Sequence, residues 1–393
     1  MKPLLPWIIL GLVIRLALIP AYVHPDLKGF NFGAYLISQQ GQLLTFYDYL
    51  SSLPAGHQLV RQYHPDLFIY PPLAYLTPAL FMKLLSPFYP WPVFNQFIFD
   101  AGNVASSSHM ILLTYLLKIP YLLADFLSLW LIIKLADAKS RQWAGLLWIF
   151  NPVTLYSTYL IGQFDIYLVA AVLLALYFSS DSRPRLAAIT LGLAAAFKPF
   201  PLFFLPFLPG SKVKNVALGL AAYLLVLLPY LPSPGFRSYA LLASQSEKIQ
   251  FAKVMVSASQ YLPLFFVGLI FLVWKHRQNP TAFPIYGWLA AVCLLFYSLS
   301  HWHPQWFIWA TPFLTLWAAA HPPVRVPLLA LLGLYFLLGL TFEPSLNFQI
   351  LRLNFSLAAW LDNYHMADYF ASALRGAFAA TTLFLLTSVK HRS

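Results

Sequence analysis

HMILLTYLLKIPYLLADFLSLWLIIKLA, residues 109–136, decides the fold. As a helix it is roughly 42 Å long at 1.5 Å per residue, which exceeds the roughly 30 Å hydrocarbon core of a bilayer. Lys118, Asp125 and Lys134 are its only Asp, Glu, Lys or Arg residues. Such a run reads as a transmembrane helix. Similar apolar runs flank it at 4–23, 72–88, 142–161, 164–180, 184–209, 215–232, 258–274, 282–300, 304–320, 325–342 and 366–389. The expectation is an all-α polytopic membrane protein with about eleven to thirteen transmembrane helices.

Composition agrees. The 393 residues are 60% hydrophobic, 18% aromatic and 9% charged, against about 25% charged in soluble domains. The excess apolar surface faces lipid. A net charge of +12 would suggest nucleic acid on a soluble chain, but here the basic residues sit in short clusters between apolar runs. That pattern sets membrane topology and speaks against nucleic-acid binding. Cys293 is the single cysteine, so no intrachain disulfide or CxxC zinc site is available. The first run, 4–23, is too long for a signal-peptide core and lacks a small-x-small cleavage site, so it reads as the first span.

Lys134/Lys139/Arg141, Arg183/Arg185, Lys212/Lys214, Lys275/His276/Arg277, Arg325 and Lys390/His391/Arg392 are assigned to the cytoplasm, together with the N-terminus. Asp165, Glu247, Glu343, Asp362 and Asp368 then fall on the other side. Two features make the alternation work. Residues 184–209, interrupted by Lys198-Pro199-Phe200-Pro201, go out and back as two half-length segments. Residues 72–108 form a hairpin of two short segments, in which Asp100 sits uneasily. Loops 24–70 and 233–257 are external and long. Residues 30–50, with Phe30, Tyr35, Phe46 and Tyr47 among polar residues, suit helices lying in the interface, and 239–256 look similar.

Four clusters carry possible chemistry. His24-Pro25-Asp26 follows the first span, and Tyr63-His64-Pro65-Asp66 and Tyr70-Pro71-Pro72-Leu73 close the same loop. Asp26 is placed either as a general base toward a lipid-borne substrate or as a solvated acid ending the helix. Gly162-Gln163-Phe164-Asp165 puts Asp165 where it binds sugar hydroxyls or caps the following helix. Phe197-Lys198-Pro199 offers a phosphate-holding lysine or a snorkelling one. His301-Trp302-His303-Pro304-Gln305-Trp306 joins imidazoles to an aromatic belt; no third ligand by spacing supports a metal there. Within the membrane, Lys118 and Asp125, seven apart, read as a structural ion pair, and Arg15 as structural. No Walker A loop, GxGxxG, nucleophile elbow or HExxH is present.

Taken in order over residues 24–306, His24-Pro25-Asp26, Tyr70-Pro71-Pro72-Leu73, Leu123-Ala124-Asp125, Gly162-Gln163-Phe164-Asp165, Phe197-Lys198-Pro199 and His303-Pro304-Gln305-Trp306 resemble the GT-C superfamily of membrane glycosyltransferases. The closer likeness is to bacterial relatives of the second mannosyltransferase of GPI-anchor synthesis. A more distant one runs to the glucosyltransferases of the dolichol pathway. The resemblance implies one integral membrane domain over 1–393. A GT-C-like catalytic module fills 1–209 and a variable transmembrane module fills 210–393. It implies transfer of a hexose, mannose favoured, from a polyprenyl-phosphate donor to a lipid or glycan acceptor on the non-cytoplasmic face. The membrane is the prokaryotic plasma membrane, or the ER membrane in a eukaryote.

In that reading Asp26 is the general base. His303, with Lys198, His301 and Arg61, holds the donor phosphate. His24, Gln163, Asp165, Tyr70 and Asp66 face sugar or acceptor. Pro304 and Gln305 stand where many relatives carry a charged pair. The first loop has no Asp-x-Asp, so no metal cofactor is expected, and the donor is the only other small molecule required. A lipid or glycan transporter using the same cavity is the alternative. Asp26, Lys198 and His303 should converge on one cavity open sideways to lipid.

Overall fold

The structure is a computed structural model that describes residues 2–99, 108–342, 346, 360–361 and 366–388. Asp100, Glu343, Asp362 and the Lys390/His391/Arg392 cluster lie outside the described residues. Fourteen helices of nine residues or more carry the described fold: α1 (Leu5–Leu18), α2 (Asp26–Ser38), α3 (Leu73–Leu85), α4 (Trp91–Phe99), α5 (Ser108–Leu135), α6 (Arg141–Ile149), α7 (Asp165–Ser180), α8 (Pro184–Ala195), α9 (Lys212–Leu227), α10 (Leu264–Gln278), α11 (Ile285–Leu299), α12 (Thr311–Ala320), α13 (Arg325–Gly339) and α14 (Ala367–Ser388).

The protein is an all-α polytopic membrane protein. Among the described residues five helices are long and apolar enough to cross a bilayer. These are His109–Leu135, Arg141–Ile161, Lys212–Tyr230, Pro322–Gly339 and Ala367–Thr387. A sixth is reached if Leu5–Ala21 and Asp26–Ser38, bent by 89°, count as one span. Other apolar runs give shorter helices, such as Leu73–Phe88, Pro184–Ala195 and Ile285–Leu299. Several of these runs are shortened or broken among the described residues. Proline is the reason: it removes a donor and clashes with the preceding turn. Pro199, Pro201 and Pro206 turn 200–207 into a 3₁₀ segment, and Pro304 opens another over 304–309.

Several local expectations are met. The 184–209 run breaks between α8 and the 3₁₀ segment, with Lys198 in the break. Residues 73–99 form two short helices, α3 and α4. The bend of 89° turns α2 at a right angle to the first span, the attitude of an interfacial helix. Residues 251–263 differ. Instead of continuing as helix, Lys253–Met255 pairs antiparallel with Tyr261–Pro263, Val254 opposite Leu262. Gln260 N–H closes the connection on Ser257 Oγ at 3.1 Å.

Packing is closest where side chains are smallest. A Cβ on Gly192 of α8 would lie 2.1 Å from the Gly219 carbonyl oxygen of α9. Only glycine lets these helices approach so far. Elsewhere α5 is a polar spine. Asp125 accepts from Arg15 Nε at 2.6 Å, Tyr159 hydroxyl at 2.7 Å and Trp148 Nε1 at 2.8 Å. Arg15 is therefore the partner of Asp125, and the Lys118–Asp125 pair expected from their spacing does not form. Seven residues place the two on one face but separate them by roughly 10 Å along the axis.

Lys118 has a different task. Its buried ammonium donates to the carbonyls of Ile19 (3.1 Å), Tyr22 (2.7 Å), Tyr159 (2.8 Å) and Leu160 (3.1 Å). A cation suits carbonyls that end helices. This one fastens the exit of the first span to the end of the π-helix over 155–161.

Candidate active site

The clamp at Lys118 sits directly beneath two motifs. Four residues after Tyr22 comes Asp26, the first residue of α2. The buried His24 Nδ1 accepts the Asp26 backbone N–H at 3.1 Å, so the ring proton is on Nε2. The Asp26 side chain keeps 37% of its exposure, and Oδ2 lies 3.6 Å from His24 Nδ1. Gln163 Nε2 donates to that same Oδ2.

Gln163 is in place because Gly162 turns the chain at φ +81°. A Cβ there would meet Leu27 Cδ2 at 2.9 Å and Lys118 Cε at 3.0 Å. Left-handed backbone and a crowded site both demand glycine. Tyr121 hydroxyl adds a bond to the Gly162 carbonyl at 2.9 Å. The three residues that follow reach three different targets. Gln163 holds Asp26. Phe164 packs edge-on against Phe30 at 4.9 Å and Tyr70 at 5.0 Å. Asp165 binds Lys198 at 2.9 Å and accepts from Trp309 Nε1 at 2.7 Å.

Lys198 and Asp165 are buried, at 5% and 0% exposure. The ammonium lies 5.0 Å from the centroids of Tyr70 and Phe164, 5.4 Å from Trp306 and 5.3 Å from Trp309. This aromatic box excludes the snorkelling reading of Lys198. Asp165 meets Lys198 and Trp309 through its carboxylate oxygens. Tyr70 belongs to the box wall; its carbonyl is tied to Tyr47 hydroxyl at 2.7 Å.

Trp306 connects the box to the late loop. Lys248 Nζ lies 5.3 Å over its ring, and the His303 ring stacks on it at 5.1 Å. Lys248 Nζ meets His303 Nε2 at 2.7 Å. His301 stands 5.8 Å from His303, ring to ring, with its N–H on the Lys248 carbonyl at 3.0 Å. Arg375 closes the far side by donating to the Ser300 carbonyl at 3.3 Å. Burial, then electrostatic repulsion from Lys248 and the neighbouring His301, Lys198 and His24 groups, which disfavours a proton on His303, push His303 down to about 3. His301 is lowered too, by burial and then by Lys248 and Arg375. Both imidazoles are neutral near pH 7, beside cations gathered from three segments far apart in sequence.

Asp26, Gln163, Phe164, Lys198 and His303 thus form one continuous strip. Arg61 and Asp66 are not on it. Arg61 lies on the exposed short helix Gln58–Gln62, and Asp66 pairs with exposed His64 at 2.9 Å. None of their described contacts reaches the strip. Lys248, Trp309 and Arg375 are the members that sequence reasoning missed. The length of loop 233–257 was the available signal for Lys248. Among the described residues no three His, Cys, Asp or Glu side chains group as metal ligands. One cavity of about 570 Å³ lies between α1, α6, α12 and α13, and a small one lies beside Pro304 and Tyr335. Neither is lined by Asp26, Lys198 or His303.

The described structure thus sets a half-exposed carboxylate and several basic side chains along one strip. Residues 86–211, about a third of the chain, match the family model described as MptA_B_family: Alpha-(1->6)-mannopyranosyltransferase, N-terminal domain, a GT-C type mannosyltransferase family. The GT-C resemblance read from the motifs is shown over that stretch, which includes Lys118, Asp125, Gly162–Asp165 and Lys198. No curated protein and no solved structure matches.

Proposed function

We propose that the chain is a membrane glycosyltransferase that moves a mannosyl unit from a polyprenyl-phosphate donor to a lipid or glycan acceptor on the non-cytoplasmic face. The family match supports mannosyl transfer. The observation that carries the rest is the Asp26 carboxylate, half-exposed and held on one oxygen by Gln163, at the start of a strip that ends in Lys248 and His303.

In this reading the Asp26 carboxylate takes the proton of an acceptor hydroxyl as its oxygen attacks the anomeric carbon of the donor. The anomeric C–O bond breaks, and its electron pair leaves with polyprenyl phosphate. Lys248 and neutral His303 donate hydrogen bonds to the phosphate as charge builds on it. Lys198, neutralised by Asp165, holds Trp306 from behind. Gln163 keeps the base aimed, since its amide fixes one carboxylate oxygen and leaves the other for the acceptor.

The test is purified protein offered a panel of polyprenyl-phosphate sugars, with product read by mass spectrometry. Wild type should transfer mannose, and Asp26→Asn should lose transfer by at least about a hundredfold while retaining donor binding. Flux of intact substrate with no new glycosidic bond would overturn the enzyme reading in favour of transport. Full activity in Asp26→Asn would remove the base.

A further inference from the structure

The cavity of about 570 Å³ lies away from the strip. It is a slot walled by α1, α6, α12 and α13, through residues such as Trp7, Leu147, Leu314 and Leu329. Its volume is that of a small-molecule site, yet the walls are apolar apart from a few hydroxyl and amide groups. Arg325 is the one charged side chain that lines it.

Arg325 is held at the mouth. Nε donates to the Ala318 carbonyl at 2.9 Å and Nη2 to that of Ala319 at 3.5 Å. The guanidinium carbon lies 5.8 Å from the Trp143 ring centroid. Among the described residues no carboxylate pairs with Arg325 and no acceptor takes Nη1. The indoles of Trp7 and Trp143, 44% and 56% exposed, flank the same opening. Paired tryptophans beside a basic residue mark the headgroup level of a bilayer. Arg141, at the start of α6, adds charge to this edge.

The edge is opposite the one that carries the strip. Arg325 begins α13, and beyond its far end Phe342 meets His303 at 6.3 Å. Fifteen residues of helix separate the two by roughly 22 Å. Likewise α1 begins near Trp7 and leads to Asp26. An anion seated on Arg325 is therefore held in a different leaflet from one seated on His303.

We infer that this slot binds one anionic phospholipid, with its phosphate on Arg325 between Trp7 and Trp143 and one acyl chain between α6 and α13. The apolar walls select a hydrocarbon chain. The unpaired guanidinium selects a negative headgroup over a zwitterionic one, because a choline or ethanolamine cation would stand beside Arg325. A tail descending from a donor phosphate at His303 is the competing occupant, and it would leave the guanidinium without an anion.

The experiment uses delipidated full-length protein and native mass spectrometry. Phosphatidylglycerol, phosphatidylcholine and polyprenyl phosphate are each titrated against it. One phosphatidylglycerol per chain should be retained, with about fivefold preference over phosphatidylcholine, the preference expected from a single basic residue at the membrane surface. Arg325→Gln should abolish the preference, and Arg325→Lys should keep it. Leu329→Trp, which fills the slot from its lipid-facing wall, should lower retention of both phospholipids. Equal retention of the two phospholipids by wild type, an unchanged preference in Arg325→Gln, or displacement of phosphatidylglycerol by equimolar polyprenyl phosphate would overturn the inference.

Discussion

Replacing Asp165 by Asn separates two roles for that carboxylate. The side chain keeps its shape, and its amide oxygen can still accept from the Trp309 indole, now at 2.7 Å. What it loses is the charge facing Lys198 at 2.9 Å, and the amide N–H₂ points a donor at a donor. Both groups are almost wholly buried. Breaking a buried pair from one side costs about 3–5 kcal/mol, since the remaining charge keeps its desolvation penalty. The four rings around Lys198 already contribute in the wild type, so they do not reduce that difference. Unfolding in nanodiscs should show Asp165→Asn and Lys198→Met each destabilised by that amount. The double variant should lose well under the sum of the two losses, because no orphan charge is left. If Asp165→Asn unfolds like wild type but raises the KM for acceptor, the carboxylate serves hydroxyls and the ion-pair account fails.

Three further outcomes are expected. Lys118→Met strips four helix-end carbonyls of a shared donor, at about 1–3 kcal/mol for each one left unsatisfied; folded yield and Tm should fall sharply, and an unchanged Tm would dismiss the clamp. Gly162→Ala must adopt φ +81°, worth about 1–2 kcal/mol, and its methyl displaces Leu27 or Lys118; mannosyl transfer should drop with stability, and full transfer would show that Gln163 need not be held by this turn. His303, pushed down to about 3 in the fold from an unfolded value of about 6.5, takes up protons more readily when unfolded. Its contribution to stability is thus present above pH 6.5 and declines as pH falls toward 3. Tm measured from pH 8 to 4 should fall less steeply in His303→Gln than in wild type, and parallel curves would refute this.

Much of the strip was legible because its members stand in ordered motifs at span edges. Asp26 and Gln163 directly follow a Pro or Gly and Lys198 and His303 directly precede a Pro, and breaks in a membrane helix require partners for the freed backbone. Pairings were harder to read. Asp165 and Lys198 sit on separate segments, so each offered a local explanation, cap or snorkel, that needed no partner. The heptad spacing of Lys118 and Asp125 pointed to a pair because it reports a shared face and says nothing of axial distance. Arg61 drew attention by charge alone, without an apolar neighbourhood to bury it. Helix ends were hard to read for a related reason: hydropathy sums over a proline that the backbone cannot ignore.

Holding the Asp26 carboxylate through a glutamine 137 positions later also sets a timetable for biogenesis. A ribosome adding about 5–20 residues per second delivers Gln163 roughly 7 to 30 seconds after Asp26. During that interval the nascent amino-terminal helix has lipid and translocon for company, and its acid has no amide to rest on. Only when the 155–165 turn emerges does Lys118 gain all its carbonyls at once. A ribosome stalled short of that turn would leave an inserted chain whose Asp26 has no Gln163 to hold it, and one stalled just beyond it would carry the earliest form in which the two can meet.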